Sequence, residues 1–279
     1  MMRGRKYGIP FKGSKSKIAE EIIEQLPAGE RLVDLFGGGF AITHCALVKG
    51  ANKWRRFMYN DINPLLQPLI SDAIAGKYSP ERFTPEWISR EEFYKRKDTD
   101  GYVKWIWSFG NNGNDYLYGR AIEETRRKCF EFVVNGIESD VTMGIKLTGK
   151  TIYDRRIEWR NNVRLVSLER LQSLEALQCL TQLESLQRLE SLQRLDYRDY
   201  QYQKGDIVYC DIPYEDAINP KDYGGGFNHW EFYKWAKAQP YPVYFSSYPL
   251  IRELWHKDVR TVMNSGSGGV GRTEVLYEI

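Results

Sequence analysis

Short apolar runs alternate with helical patterns along this chain, which is typical of an α/β sheet protein. Runs that suit buried strands cover residues 31–36, 57–60, 208–210, 243–248 and 274–279. Between them, apolar residues recur at intervals of three and four, as at Ile18, Ile22, Ile23 and Leu26. The pattern predicts an open sheet covered by helices, with ligands bound at the carboxyl ends of its strands.

Three of the predicted strands carry an acidic residue at or near their ends. Asp34 lies in the first strand, just before the glycine turn Gly37–Gly39, and Asp61 ends the second. Glycines let a backbone approach a ligand closely, and an acid after the second strand suits ribose hydroxyls. A dinucleotide fingerprint is absent because Phe40 and Ala41 follow the glycines, and a P-loop lysine is absent too. A tight turn and an Asx turn without ligands are the alternatives.

The third acid, Asp211, lies in the stretch around which the chain is organised. Val208–Cys210 predicts a buried strand, and Pro213 ends it because proline cannot donate to a sheet. A carboxylate, rigid backbone carbonyls and the ring of Tyr214 suit a flat heterocycle with an exocyclic amine. A strand that simply ends in a turn is the alternative.

The region from residue 64 to 164 is rich in tryptophan, tyrosine and basic residues on helical stretches. Its loop 107–119 holds three asparagines and several aromatic residues. Asparagine can read adenine edges and aromatic side chains can wedge between bases, so nucleic-acid contact is expected here. A surface loop of a helical subdomain is the alternative.

Leucine occupies every third position from residue 165 to residue 195. In one straight helix such a stripe would spiral around the surface and expose apolar side chains on all sides. Short helices that fold back, or a solenoid-like insert, are the alternatives. We expect a packing or self-association role for this tract, and so an oligomer through residues 165–195.

Composition narrows the function classes only slightly. A length of 279 residues fits one large domain or two small ones, and a formal charge of +3 does not by itself imply a polyanion partner. The four cysteines show no CxxC spacing, which argues against structural zinc, and no metal site is expected. Without a signal peptide or an apolar run of membrane length, the sequence predicts a cytoplasmic protein that has no membrane partner.

Taken together, these motifs resemble the Dam-like D12 class of DNA adenine-N6 methyltransferases, including orphan forms carried by phages and prophages and members of restriction-modification systems. The family's opening motif resembles residues 11–15, its cofactor loop residues 34–39, and its second acid Asp61. The catalytic Asp-Pro-Pro-Tyr resembles Asp211–Tyr214. An acidic-aromatic pair matches Asp196-Tyr197, although Asp199-Tyr200 would fit that register too.

The resemblance implies a Rossmann-like class I methyltransferase sheet with an inserted, mainly helical target-recognition region. Residues 1–63 and 196–279 would form the catalytic domain, 64–164 the target-recognition region and 165–195 a leucine-repeat insert. The implied donor is S-adenosylmethionine and the acceptor is a flipped-out adenine of double-stranded DNA. The implied catalytic residues are Asp211, Ile212, Pro213 and Tyr214, and the implied cofactor residues are Phe11, Lys15, Asp34, Phe36, Gly37, Gly39, Asp61, Ile62, Asp196 and Tyr197.

One departure from the family pattern falls inside the catalytic motif. Ile212 stands where the family has its first proline. The contact expected from that position is a backbone carbonyl, which isoleucine still supplies with some loss of rigidity. Methylation of cytosine N4 or of RNA on the same scaffold, and an inactive DNA-binding relative, are the alternative functions.

Overall fold

The computed structural model describes residues 7–50, 52–163, 168–214, 226–248, 258–262 and 274–279. The chain divides into two compact units. The first comprises Met1–Ile9, Gly13–Gln67 and Leu183–Ile279, and the second Pro10–Lys12 and Pro68–Gln182. The first unit therefore contains the predicted strands, and the second contains most of the predicted helical region.

The first unit is built on a seven-stranded sheet in the order β3-β2-β1-β4-β5-β7-β6. Strands β1 to β5 pair in parallel, while β7 runs antiparallel to both β5 and β6. The order of the parallel strands is that of the Rossmann sheet, so the predicted fold class is confirmed. The strands are β1 (Arg31–Asp34), β2 (Arg56–Asn60), β3 (Leu189–Gln193), β4 (Asp206–Cys210), β5 (Val243–Ser247), β6 (Asp258–Val262) and β7 (Glu274–Glu278).

Helices of the described chain flank this sheet or build the second unit. Those of the first unit are α1, α2 and α9, and α3 begins in the first unit and continues in the second. The helices are α1 (Ala19–Gln25), α2 (Ala41–Lys49), α3 (Leu66–Ile74), α4 (Arg90–Arg96), α5 (Gly101–Ile106), α6 (Arg120–Asn135), α7 (Ile152–Glu158), α8 (Glu169–Leu180) and α9 (His229–Lys237).

The core of the first unit lies between the central strands and α9. Val33 of β1 and Val208 of β4 are fully buried, as are Phe232 of α9 and Phe245 of β5. Burial on both faces explains why the central strands read as continuous apolar runs in the sequence. Ile212 belongs to the same cluster and is 2% exposed.

The leucine tract is divided between the two units. Its first part forms α8, in which Leu177 and Leu180 are fully buried within the second unit. Its last part forms β3, which extends the sheet beside β2. The sequence does not predict this strand. A leucine at every third position matches neither the two-residue period of a strand nor the 3.6-residue period of a helix, so it indicates neither element. In the described part of the tract there is no single long helix.

Charged residues tie β3 to the centre of the sheet. The Arg31 guanidinium is 4% exposed and donates from Nε and Nη2 to the two carboxylate oxygens of Asp206, at 2.9 Å each. Its Nη1 donates to Glu190 of β3 at 2.9 Å. One side chain of β1 thus links β4 and β3 near the start of those strands.

The second unit is mainly helical, as the sequence predicted. Aromatic side chains fill it: the Trp87 ring stacks on Tyr118 at 5.4 Å, and Trp107 and Phe130 are fully buried. Its loop 107–119 closes with backbone hydrogen bonds from Phe109 to Asp115 (2.8 Å) and from Leu117 to Trp107 (3.1 Å). Phe109 nevertheless remains 63% exposed.

Candidate active site

Three carboxylates meet at one edge of the sheet. Asp34 ends β1, Asp61 follows β2, and Asp211 follows β4. Because β1 pairs in parallel with both β2 and β4, the carboxyl ends of the three strands lie side by side. The structure therefore brings together the acids of three sequence motifs that are far apart in the chain.

The glycine turn is held against the end of β2. The Gly37 amide donates to the Asn60 carbonyl and the Gly38 amide to Asp61 Oδ2, both at 2.8 Å. A Cβ on Gly37 would lie 2.2 Å from the Tyr59 ring, so only glycine fits. The Gly39 carbonyl accepts from the Ile9 amide at 2.8 Å. The turn thus exposes backbone rather than side chains beside the carboxylates.

Asp34 anchors α2 through one oxygen only. Its Oδ2 accepts from the Thr43 hydroxyl at 2.7 Å and from the Thr43 amide at 3.2 Å, whereas its buried Oδ1 has no hydrogen-bond partner. Burial raises the pKa of Asp34 to about 7, Thr43 opposes the rise, and the negative charges of Asp211 and Asp61 add to it. An unpaired buried acceptor favours a cationic donor group.

Asp61 is fixed by backbone amides. Its Oδ1 accepts from the Asn63 amide and its Oδ2 from the Gly38 amide, both at 2.8 Å. Burial raises the pKa of Asp61, and these two hydrogen bonds oppose the rise. The next side chain, Ile62, is 62% exposed.

Aromatic side chains gather next to the glycine turn. The Phe36 ring lies 5.3 Å from Tyr197, which supports the Asp196-Tyr197 register over Asp199-Tyr200. Asp199 is exposed, whereas Asp196 is half-buried and accepts from the Arg198 guanidinium at 2.8 and 2.7 Å. The sequence left this register open.

Asp211 forms an ion pair with Lys15. Lys15 Nζ lies 2.6 Å from Asp211 Oδ1 and 3.7 Å from Glu274 Oε2, and the lysine is 6% exposed. Burial alone would lower the pKa of Lys15, but the charges of Asp211 and Glu274 raise it above its ordinary value. Lys15 is therefore a permanent cation beside Asp211.

The electrostatic balance at Asp211 is set by burial and by Lys15. Burial raises the pKa of Asp211 to about 6, and Lys15 prevents a larger rise. The Ser246 hydroxyl, which is 2.8 Å from the Tyr209 hydroxyl, also donates to Asp211 Oδ1 at 3.4 Å. Asp211 Oδ1 thus receives both of these contacts, and the Asp211 side chain is 20% exposed.

The turn after Asp211 presents two rings and a carbonyl. The Tyr214 ring lies 4.3 Å from Tyr248, and Lys15 Nζ lies 4.7 Å from the Tyr214 ring centroid. The Pro213 carbonyl is 2.5 Å from His229 Nε2. The four residues of the predicted catalytic motif therefore begin at the sheet edge where Asp34, Asp61 and Asp211 lie.

Phe11 belongs to the second unit of the chain, whereas the other predicted cofactor residues belong to the first. The Phe11 ring is 4.7 Å from Trp105. Its role at the cofactor stays a prediction.

Sequence reasoning missed some residues that contact this site. Glu274 begins a strand that reads as structural, and His229 begins a helix without any motif. Thr43 lies in α2 and belongs to no sequence motif. A hydroxyl nine residues after an acid carries no signal by itself, because only the strand-turn-helix geometry brings the two together.

A Rossmann-like sheet with acids and a glycine turn at its carboxyl edge defines a nucleotide-type ligand site. The family model of D12 class N6 adenine-specific DNA methyltransferases matches residues 11–234. The chain belongs to this family, so it is an S-adenosylmethionine-dependent DNA methyltransferase and its fold is that of a Rossmann-like methyltransferase.

More distant comparisons add little. A search among curated proteins finds no match. Two structures of the rRNA methyltransferase AviRa from Streptomyces viridochromogenes, at 2.4 Å and 1.5 Å, are each 14% identical and cover 94% of this chain and 82% of theirs. Their TM-scores are 0.38 and 0.36, so the structural similarity is distant.

The site fits a cationic nucleoside donor. The unpaired Asp34 Oδ1 is an acceptor for an ammonium group, and the turn at Gly37 leaves no room for a side chain. Among the described residues, no cluster of three or more His, Cys, Asp or Glu side chains could hold a metal ion. No described helix has both the length and the apolarity to cross a membrane.

Proposed function

We propose that this chain is an active, site-specific methyltransferase that receives a flipped-out adenine at the Asp211–Tyr214 turn. The observation that carries the proposal is the meeting of Asp34, Asp61 and Asp211 at one sheet edge, close enough for the charges of the other two to raise the pKa of Asp34. Three acids in one site favour a donor that carries positive charge.

Residues of β1, β2 and the glycine turn would hold the donor. Asp34 Oδ1 would accept from its ammonium group and Asp61 from its ribose hydroxyls. Phe36 and Ile62 would pack on its adenine, and Asp196 and Tyr197 would line the same side of the site. Gly37 and Gly39 would let the donor approach the backbone closely. When bound, S-adenosylmethionine supplies an electrophilic methyl group.

Residues of the turn after β4 would hold the acceptor. Asp211 Oδ2 and the Ile212 carbonyl would accept from the two hydrogens of the adenine amine, which directs the nitrogen lone pair toward the methyl group. Tyr214 would stack on the base. Because Lys15 and Ser246 contact Asp211 through Oδ1, they orient the carboxylate without using Oδ2.

Little proton transfer is needed before the methyl group moves. As the methyl group moves, the donor sulfur would lose its positive charge and the amine nitrogen would gain it. The Asp211 carboxylate would stabilise that charge, and the nitrogen would then release one proton to solvent. Alignment of nitrogen and methyl group supplies most of the remaining acceleration. Lys15 keeps Asp211 ionised, because its positive charge favours the carboxylate form.

Double-stranded DNA is the proposed form of the acceptor. The target base must leave the helix at a cost of a few kcal/mol before it can reach Asp211. Residues 64–164 would recognise the sequence around it. We also propose that the enzyme acts in the cytoplasm of a cell or phage host, where such DNA is accessible. We propose in addition that the chain self-associates through residues 165–195, which sedimentation would test.

Substitution of the carboxylate tests the proposal. Asp211→Asn keeps the side-chain shape but removes the charge, so we expect methyl transfer to fall by at least about 100-fold. Donor binding, measured by calorimetry, should stay within about threefold of the wild-type value. Asp199→Asn, which alters an exposed acid that does not follow any of these strands, is the matched control. Wild-type transfer by Asp211→Asn would refute the assignment.

A further inference from the structure

The turn that carries Asp211 is bound to α9 at two successive residues. The Ile212 side chain is 2% exposed and packs in the core cluster that contains Phe232 and Tyr233 of α9. The next residue, Pro213, presents its carbonyl to His229, the first residue of α9. The helix therefore contacts the turn through both apolar packing and a polar contact.

The contact to His229 defines the state of the imidazole. A carbonyl oxygen can only accept, so the His229 Nε2 must carry the proton and donate it to Pro213 across 2.5 Å. Both the neutral ring with this tautomer and the protonated ring can make the bond.

The position of His229 is itself fixed. Asn228 caps α9, since its side chain accepts from the Glu231 amide at 3.1 Å. Phe232, one turn later, is fully buried in the core of the first unit and contacts Phe245 at 5.8 Å between ring centroids. The Phe227 ring also packs on the imidazole, at 5.0 Å. A rigid helix start thus holds the donor that meets the turn.

We propose that His229 is a positioning residue for methyl transfer, which acts by fixing the Pro213 carbonyl and thereby the directions of Asp211 and Tyr214. The inference rests on the proposed role of that turn. Ile212 lacks the ring by which proline restricts φ, so the backbone between Asp211 and Pro213 has an additional soft dihedral angle. The hydrogen bond from His229 supplies the missing restraint from outside the turn.

Removal of the donor tests the proposal in the full-length enzyme. His229→Leu should lower the single-turnover rate of methyl transfer about tenfold, the equivalent of one hydrogen bond. Donor affinity by calorimetry and the thermal midpoint should remain close to wild type. His229→Gln, which places an amide donor near the same point, should recover at least half of the wild-type rate. Lys234→Leu, on the exposed side of α9, is the control and should leave the rate unchanged.

A double-mutant cycle distinguishes restraint of the turn from general support of the fold. In the Ile212→Pro background the turn is stiff without His229, so His229→Leu should then cost less than about threefold. An equal loss in both backgrounds, or a His229→Leu variant as fast as wild type, would overturn the proposal. A fall in thermal midpoint that His229→Gln shares in full would overturn it as well.

Failure of this inference and failure of the proposed function give different results. Asp211→Asn is measured in the same single-turnover assay. If it stays inactive while His229→Leu is as fast as wild type, only the role of His229 is wrong. If Asp211→Asn is as fast as wild type, the turn is not the acceptor site, and the role of His229 falls with it.

Discussion

At the scale of single residues, the site depends on how buried charges face one another. Lys15 and Asp211 form a pair at 2.6 Å in which both groups are largely shielded from water. Such a pair gives little net stability, because desolvation offsets attraction, but removing one partner is costly. The pair is better explained as a device that keeps one carboxylate ionised and oriented.

The pH dependence of methyl transfer follows from the pKa of Asp211. Burial raises this pKa to about 6 and Lys15 opposes the rise, so transfer should increase with pH through about 6 as the carboxylate ionises. Lys15→Met removes the opposing charge, and its acid limb should move about one unit or more to higher pH. Single-turnover rates between pH 5 and 9 measure this. Lys17→Met, an exposed neighbour, should keep the wild-type limb; an unshifted limb in Lys15→Met would contradict the role of Lys15.

Donor affinity should depend on the protonation of Asp34. Burial raises the pKa of Asp34 to about 7, and a cationic ligand binds the ionised form. Affinity for S-adenosylmethionine should therefore rise as pH increases from 6 to 8, with proton release that calorimetry detects in buffers of different ionisation enthalpy. Asp34→Asn should bind more weakly at pH 8 and lose the pH dependence. Equal affinity of wild type and variant at pH 8 would exclude the contact.

At the scale of elements, the sheet is held together by Arg31 as well as by its backbone ladder. Its guanidinium donates to Asp206 of β4 and to Glu190 of β3, and so ties the last part of the leucine tract to the sheet of the first unit. The Glu190 contact is partly exposed, whereas the Asp206 side chain is 1% exposed. The contact to Asp206 should dominate the effect on stability.

Arg31→Met is expected to destabilise the protein strongly. It leaves the buried Asp206 carboxylate without its cation, and such a loss costs about 3–5 kcal/mol. Chemical denaturation followed by circular dichroism measures the change in free energy of unfolding. Arg56→Met is the matched control, since Arg56 pairs with the same Glu190 at 3.0 Å but its side chain is 42% exposed, and it should cost less than about 1 kcal/mol. Equal losses would contradict this account.

The sequence predicted most strands of this sheet but not all. Runs such as Val208–Cys210 are apolar without interruption because both faces of a central strand are buried, and that signal is local. The strand β3 has polar residues between its leucines and is half-buried at the sheet edge, so it resembled the rest of the leucine tract. Its pairing with β2 is a contact of long sequence separation that no local pattern reports.

The candidate site, like the sheet, is predicted from the sequence only in part. Asp34 ends a strand, and Asp61 and Asp211 each follow one. Because parallel strands bring their carboxyl ends together, the sequence predicts that these three acids meet. Glu274 and His229 reach the site from a terminal strand and a helix start without any motif. The ion pair of Lys15 with Asp211 joins the opening motif to the catalytic motif. This contact is visible only in the folded structure.

At the scale of the whole molecule, we assign a different function to each of the two units. The first is proposed to contain the methyl-transfer site, and the second, with its helices and the loop 107–119, is proposed to recognise DNA. Asn111 of that loop has φ of 56° and its side chain donates to the Trp105 carbonyl at 2.8 Å. A braced loop that exposes one large ring suits insertion between bases.

Phe109 is expected to contribute to DNA affinity without a change in its salt dependence. The ring is 63% exposed, and stacking on a base is worth about 1–3 kcal/mol. Phe109→Ser should weaken duplex binding at least about fivefold, while the slope of affinity against salt stays the same because no charge is removed. Fluorescence anisotropy at several salt concentrations measures both. Met143→Ser, which alters another exposed apolar side chain, should bind like wild type; a similar loss there would argue against a specific role.

The central claim is that a carboxylate after β4 directs an adenine amine of duplex DNA at the methyl group of S-adenosylmethionine. The most direct test incubates the enzyme and its Asp211→Asn variant with isotope-labelled donor and a random-sequence duplex pool, followed by mass spectrometry of the nucleosides. The account predicts labelled N6-methyladenine with wild type and none with the variant. Label in N4-methylcytosine, label only in an RNA substrate, or equal label with both proteins would contradict it.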